Sequence, residues 1–468
     1  MPAITPGAGR GLELTAAQRP VLSAQCADPG NTTYNVGQYI DLRGPLEVTP
    51  LRRAIARVLA EAPALRLRIH GGADGPRQEQ LPFDAEGWRL PRLDTSGAAD
   101  PVAAAVELVR DQLACPPRLD ALIAPAGPAP APGPAGGAPG PGGPAPGGAS
   151  LTGTVLVRVG PERHLLFQYF HHLAVDGYGV SLLSRRTADL YTALARGEEP
   201  PPSPFAPLSV LVDAERAYAD SADEAADRAH WTARYADRPS VTGFARGTAP
   251  ASGRVLRHTV VLDRADTARL EHTARGARAT WAEAVTAAVA AQLRLETGAP
   301  EAVLRMYAMA RTAPGTLRVP GMAVNVLPVR IPVGDGAGFA ALLRRTAAEF
   351  RAVRAHQRYR GASLLTGRGG ILLNLRPFAT ELDFHGTPGR IVTLASGPVD
   401  DLSLSAVRQA DGRLRLDLDA NAALYQPAEV AGLADRCAAL LRLLAARPDR
   451  PLTEPVRPAA TAPSAPPG

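Results

Sequence analysis

Lysine is absent from all 468 residues, so every one of the 51 basic side chains is arginine. Such a bias fits GC-rich coding. The arginines are dispersed among 45 acidic residues and form no basic tract, which argues against a nucleic-acid surface despite the net charge of +6. Cysteine is nearly absent too. Cys26, Cys115 and Cys437 are odd in number and lack ligand-type spacing, which excludes a disulfide framework and a zinc site. Cys437 shares one helical face with Val430, Leu433, Leu440 and Leu444 and reads as core. No apolar run reaches membrane-spanning length and no hydrophobic leader opens the chain. The expectation is a cytoplasmic protein with no metal, no membrane partner and no nucleic-acid partner.

What is present is an ordinary globular composition, 46% hydrophobic and 21% charged, on a chain too long for one core. Strand and helix patterns alternate along it. Tyr34–Leu42 and Thr154–Val159 read as strands, and Leu165–Phe170 as a strand buried on both faces. Ala64–Ile69 is a further strand candidate. Thr49 is placed as the cap of a helix with Pro50 at its first position and Leu51, Ile55, Val58 and Leu59 on its buried stripe. Val180–Arg196 is helical, with Gly197 as its stop. Residues Pro125–Gly148 are Pro, Gly and Ala throughout and read as a disordered insertion, as does the tail over 452–468. The Pro-rich stretch Glu199–Pro204 marks the domain boundary, giving lobes at 12–197 and 203–451. In the second lobe Leu208–Tyr235 reads as one helical stretch. Val255–Leu262, Val303–Met309, Ile371–Leu375 and Arg413–Leu418 read as strands, with extended chain over Val319–Ile331. Thr280 and Glu283 form a capping box, and Phe339–Val353 and Val430–Leu444 are helices.

The chemistry concentrates at His171-His172-Leu173-Ala174-Val175-Asp176-Gly177, between the buried strand and the helix that follows. Loops at such junctions present side chains from a rigid frame. A near-neutral imidazole can take a proton from a weak nucleophile and return it to a leaving group. Adjacent residues on an extended segment point to opposite sides, so only one histidine can face a substrate. Most lone histidines are ordinary core or surface residues. Here the acid four positions on, the glycine after it and the junction itself also need explaining.

His171-His172-x-x-x-Asp176-Gly177 resembles the central motif of nonribosomal peptide synthetase condensation domains, within the chloramphenicol-acetyltransferase-like superfamily. Leu14–Arg19 with Ser23-Ala24-Gln25 is similar to that family's first motif, and Ala64–Arg68 to its second. Val319–Pro328 is similar to the fifth, His356-Gln357-Arg358 to the sixth, and Gly397–Leu402 with Asn421–Tyr425 to the closing segment. The resemblance spans about Leu12 to Pro451. It implies an α/β fold of two acetyltransferase-like lobes in a V-shaped pseudo-dimer, monomeric in solution. It implies acyl transfer from a carrier-protein phosphopantetheine thioester to an acceptor amine, forming an amide. His172 would act on the nucleophile, while Gly177 admits the thioester and lends an N–H to the oxyanion. His171 would be structural, and Asp176 would pair with Arg311. Asn325, Tyr178 and Arg66 are candidate channel residues. Thioester aminolysis runs downhill, so no cofactor is expected on this chain; pantetheine belongs to the carrier.

The chain departs from the family pattern at Val21-Leu22, where an aromatic residue is usual, and in a short Gly361–Gly370 segment. With no adenylation or carrier motif in view, a free-standing enzyme is expected. Ester formation on a hydroxyl acceptor, a coenzyme-A-dependent acyltransferase and a catalytically silent recruitment module are the rival readings; the intact His172, Asp176 and Gly177 oppose the last.

Overall fold

The computed structural model describes residues 11–72, 75–117, 151–334, 338–360, 364–367, 369–378 and 380–452. The sequence-assigned insertion at 125–148, the tail beyond Leu452 and part of the 361–370 segment lie outside these. The chain forms two compact units, each built on a six-stranded sheet.

The sheet of the first unit runs Glu381–Phe384, Thr387–Ser396, Asn35–Arg43, Arg163–His171, Thr152–Gly160 and Arg92–Asp94. Alternation along its two central strands explains the continuous apolar run before the motif. Ile40, Leu42, Leu166 and Phe170 join Leu51, Ile55 and Val58 of the helix Val48–Glu61 and Val180, Leu183 and Leu190 of Gly177–Ala195 in one core. Leu165 and Phe167 pack instead with Val155, Val157 and, from the helix Pro101–Leu113, Ala105 and Val109. Both faces of the motif strand are thus buried, which leaves only its C-terminal end to present chemistry.

In the second unit the order is Asn325–Pro332, Glu301–Ala308, Ile371–Arg376, Leu402–Arg408, Leu414–Asn421 and Val255–Leu262. Leu373, Leu404, Leu416 and Leu418 share a core with residues of the helices Trp281–Thr297, Phe339–Ala355 and Pro427–Ala446. Cys437 is buried in it, and desolvation pushes its thiol up to about 12, consistent with a packing role. The Thr280–Glu283 capping box forms. Among the described residues no helix is long and apolar enough to cross a membrane, and no His/Cys/Asp/Glu group could hold a metal ion.

The structure corrects several expectations. The first unit does not end near Gly197: it continues to Ser221 and takes back Arg311–Val324 and Thr380–Gly397. Strand pairing between Thr387–Ser396 and Asn35–Arg43 draws the last segment home, a long-range pairing with no local signature. The stretch over 208–235 is two helices, Ser209–Tyr218 and Ala222–Arg234, parted at Asp220, whose φ of 58° breaks the helical run. Thr49 is not a cap, because the helix begins at Val48 with Glu47 at the cap position. Ala64–Arg66 belong to a 3₁₀ turn that precedes the strand Leu67–Gly72.

Candidate active site

The motif strand ends at His171, and the helix begins at Gly177. Backbone bonds hold the start of the intervening loop: His171 N–H donates to the Leu151 carbonyl and His172 N–H to that of Tyr34. The two rings then diverge as strand geometry requires. His171 is fully buried. Its Nδ1 accepts the Leu173 N–H at 3.1 Å, so Nε2 carries the proton and donates to Gln25 Oε1 at 3.2 Å. Desolvation, reinforced by His172, pushes its pKa down to about 3. This ring is a neutral structural strut.

His172 is half-buried and adopts the opposite tautomer. Its Nδ1 lies 3.0 Å from the Val175 carbonyl, which can only accept. Nδ1 therefore bears the proton and Nε2 keeps its lone pair. Desolvation lowers its pKa against the opposing pull of the Val175 carbonyl, the Asp176 carboxylate and the Ser396 backbone, favouring the neutral form.

Asp176 is spent on architecture. Its carboxylate accepts five hydrogen bonds: two from Arg311 at 2.7 and 3.1 Å, and one each from the N–H groups of Gly179, Ala323 and Val324 at 2.9, 3.0 and 3.0 Å. The Gly179 bond caps the helix. Burial disfavours the charged carboxylate, but Arg311 and the N–H donors outweigh it, so the pKa falls below the usual carboxylate value. Arg311 also donates to the Gly321 carbonyl at 2.8 Å. One buried ion pair thus fastens the 311–324 segment to the motif helix.

The glycines have separate reasons. Gly177 is exposed, and a Cβ there would meet nothing within 4 Å, so the space in front of it is open to a substrate. Gly179, which the sequence reading passed over, is held by close approach: a Cβ would come within 3.2 Å of the Gly321 backbone nitrogen and collide with the Val175 side chain. The pattern Gly177-Tyr178-Gly179 could have raised it, but only the fold shows what it abuts.

The channel candidates fare unevenly. Tyr178 stays beside the motif, its hydroxyl donating to the Leu317 carbonyl at 2.9 Å and its ring 5.1 Å from the Arg311 guanidinium carbon. Arg66 does not join it. Its guanidinium donates to the carbonyls of Leu59, Ala60 and Leu81, finishing the C-terminal end of the helix Val48–Glu61. Asn325, in the second unit, donates to the Gln357 and Tyr359 carbonyls at 3.0 and 2.7 Å and so anchors the start of its strand.

Two α/β units and a histidine on a strand-to-helix loop are features of the chloramphenicol-acetyltransferase-like fold. A family model for the condensation domain matches residues 148–368. The starter condensation domain of rhizomide synthetase RzmA superposes with a TM-score of 0.81 at 30% identity, over 94% of this chain and 96% of that one. The first condensation domain of the CDA synthetase gives 0.84 at 28% identity, over 95% and 98%. The isonitrile lipopeptide synthase of Streptomyces coeruleorubidus is 35% identical over 94% of this chain. A dimodular nonribosomal peptide synthase of Bacillus subtilis (strain 168) is 32% identical over 93%. The chain spans 29% and 18% of these two relatives' lengths. The chain belongs to the condensation-domain family, the acyltransferases that form amide bonds in nonribosomal peptide synthesis.

Three outcomes follow from this geometry. Asp176→Asn strands the buried Arg311 charge and lowers stability by about 3–5 kcal/mol in urea unfolding; an unchanged midpoint would remove the pair from its structural role. Gly179→Ala destabilises by about 1–3 kcal/mol through overpacking, whereas Gly177→Ala leaves the melting temperature in place and slows product formation. Equal melting temperatures for the two glycine variants would contradict the close approach to Gly321. Finally, unfolded histidine titrates near pH 6.5 but folded His171 only at about 3, so the unfolded chain binds the extra proton in between. Stability present above about pH 6.5 is lost as pH falls, by up to about 1.4 kcal/mol per pH unit from this residue. Unfolding of His171→Gln should therefore show a shallower acid slope than wild type; an equal slope would assign the acid sensitivity elsewhere.

Proposed function

We propose that this chain transfers an acyl or peptidyl group from a carrier-protein phosphopantetheine thioester to an acceptor amine, with His172 Nε2 as the proton acceptor. The observation that carries this is the tautomer set by Val175, which leaves the ring's lone pair on Nε2. The amine nitrogen attacks the thioester carbonyl and gives its proton to Nε2. The C–S bond of the tetrahedral intermediate then breaks, and the imidazolium returns the proton to the departing thiolate. The products are an amide and free pantetheine thiol. At the first position of its helix the Gly177 N–H has no intrahelical acceptor, and with the helix dipole it is suited to the developing oxyanion. Binding two tethered substrates in attack geometry supplies most of the remaining rate.

A second reading concerns the donor. The starter condensation domain of rhizomide synthetase is seen in complex with C8-CoA, which supports a fatty acyl group as one donor to try here.

The test is intact-protein mass spectrometry of carrier protein loaded with octanoyl or aminoacyl pantetheine, mixed with free and carrier-bound amines. Transfer by wild type and its loss in His172→Ala, at unchanged melting temperature, is the expected result. Full transfer by His172→Ala would remove His172 as the base. Stable carrier binding without transfer to any acceptor would favour a recruitment module.

A further inference from the structure

Gln18 lies in the helix Gln18–Ala27 at the start of the chain, far in sequence from the motif, and is completely buried. Its Nε2 donates to the Leu173 carbonyl at 2.7 Å and to Gln78 Oε1 at 2.9 Å. Its Oε1 accepts from the Thr15 N–H at 2.8 Å and from Gln78 Nε2 at 3.0 Å. The amide orientation is unambiguous, because the Leu173 carbonyl can only accept and the Thr15 N–H can only donate. All four bonding positions of the side chain are filled. Gln78 Nε2 donates in addition to the Glu13 carbonyl at 2.7 Å, and the Thr15 hydroxyl to the Met322 carbonyl at 2.8 Å.

Leu173 is the middle of the motif turn, and its peptide groups are gripped from two directions. Its N–H is held by His171 and its carbonyl by Gln18. Two residues on, the Val175 carbonyl receives the His172 Nδ1–H. Thr15 meanwhile ties the same N-terminal segment to Met322, adjoining Ala323, whose N–H is held by Asp176.

We propose that Gln18 is a positioning residue for the acyl transfer: by clamping the Leu173 carbonyl it fixes the turn whose Val175 carbonyl selects the reactive tautomer of His172. The proposal rests on the reading of His172 as the base, but its effect on the ring can be measured without turnover. Gln18→Met keeps the length of the side chain and removes the donor to Leu173. The turn is then free to shift, the Val175 bond weakens, and His172 spreads over both tautomers. Gln78→Met is the matched control, since it breaks a comparable set of buried bonds in the same network but leaves the bond from Gln18 to Leu173.

The experiment is imidazole ¹⁵N NMR on wild type and both variants, with the His172 signals assigned by their loss in His172→Ala. In parallel, octanoyl transfer from a loaded carrier protein to a responsive amine from the panel is timed. The wild type and Gln78→Met should show Nδ1 protonated. Gln18→Met should show mixed tautomers and a fall in kcat of about tenfold to a hundredfold with little change in KM, the size expected of a small misplacement. Should Gln18→Met be insoluble, Gln18→Leu is measured instead; it too has no N–H for Leu173. An unaltered His172 tautomer in the soluble Gln18 variant overturns the proposal, as does a loss of kcat equal to that of Gln78→Met. Wild-type activity in His172→Ala with a shifted tautomer in Gln18→Met would instead leave the clamp standing and remove the base.

Discussion

The ion pair between Asp176 and Arg311 is the constraint on which the rest of the site depends. A buried charge pair gains little over an apolar substitute unless every lone pair and proton is matched, and removing one partner leaves the other stranded. Here the matching is dense, with two guanidinium bonds and three backbone N–H groups converging on one carboxylate. The carboxylate also caps the helix that starts at Gly177. Loop, helix and the returning 311–324 segment therefore hold a single geometry, and Gly179 lets the Gly321 backbone come close enough for it.

Within that frame the two histidines divide the work. Both rings are desolvated and both lose basicity, yet opposite hydrogen-bond partners assign them opposite tautomers. The buried one supports the Leu173 amide, and the half-buried one carries its proton on Nδ1. Low basicity favours the neutral form of both rings. The acid of the motif bonds Arg311 and three backbone N–H groups.

Much of the first unit was legible from residue order. The run Leu165–Phe170 implied a strand buried on both faces, and the two separate cores around it explain why. Helical spacing after Gly177, the stop at Gly197 and the Thr280–Glu283 box are local signals, and each formed. Failures fell where local signals compete with tertiary ones. Arg66, a channel candidate from sequence, has its guanidinium bonded to nearby carbonyls at a helix end. The helical stretch over 208–235 carried no Pro or Gly at its break, because Asp220 makes the turn in a left-handed conformation open to few residues. The boundary at Gly197 was misplaced because a Pro-rich connector is visible in sequence and a returning strand is not.

The chain by itself determined which residues could do chemistry: a histidine pair, an acid and a glycine at a strand-to-helix junction, with spacing that sets their alternate faces. It determined much of the composition of the cores as well, since burial follows apolar period. Only the tertiary structure decided which imidazole nitrogen is basic, because the tautomer depends on a carbonyl three residues away once the turn has closed. It alone joined Asp176 to Arg311 and Gln18 to Leu173, pairs separated by 135 and 155 positions. Contacts at such separations are selected by packing of the whole unit, and no local period encodes them.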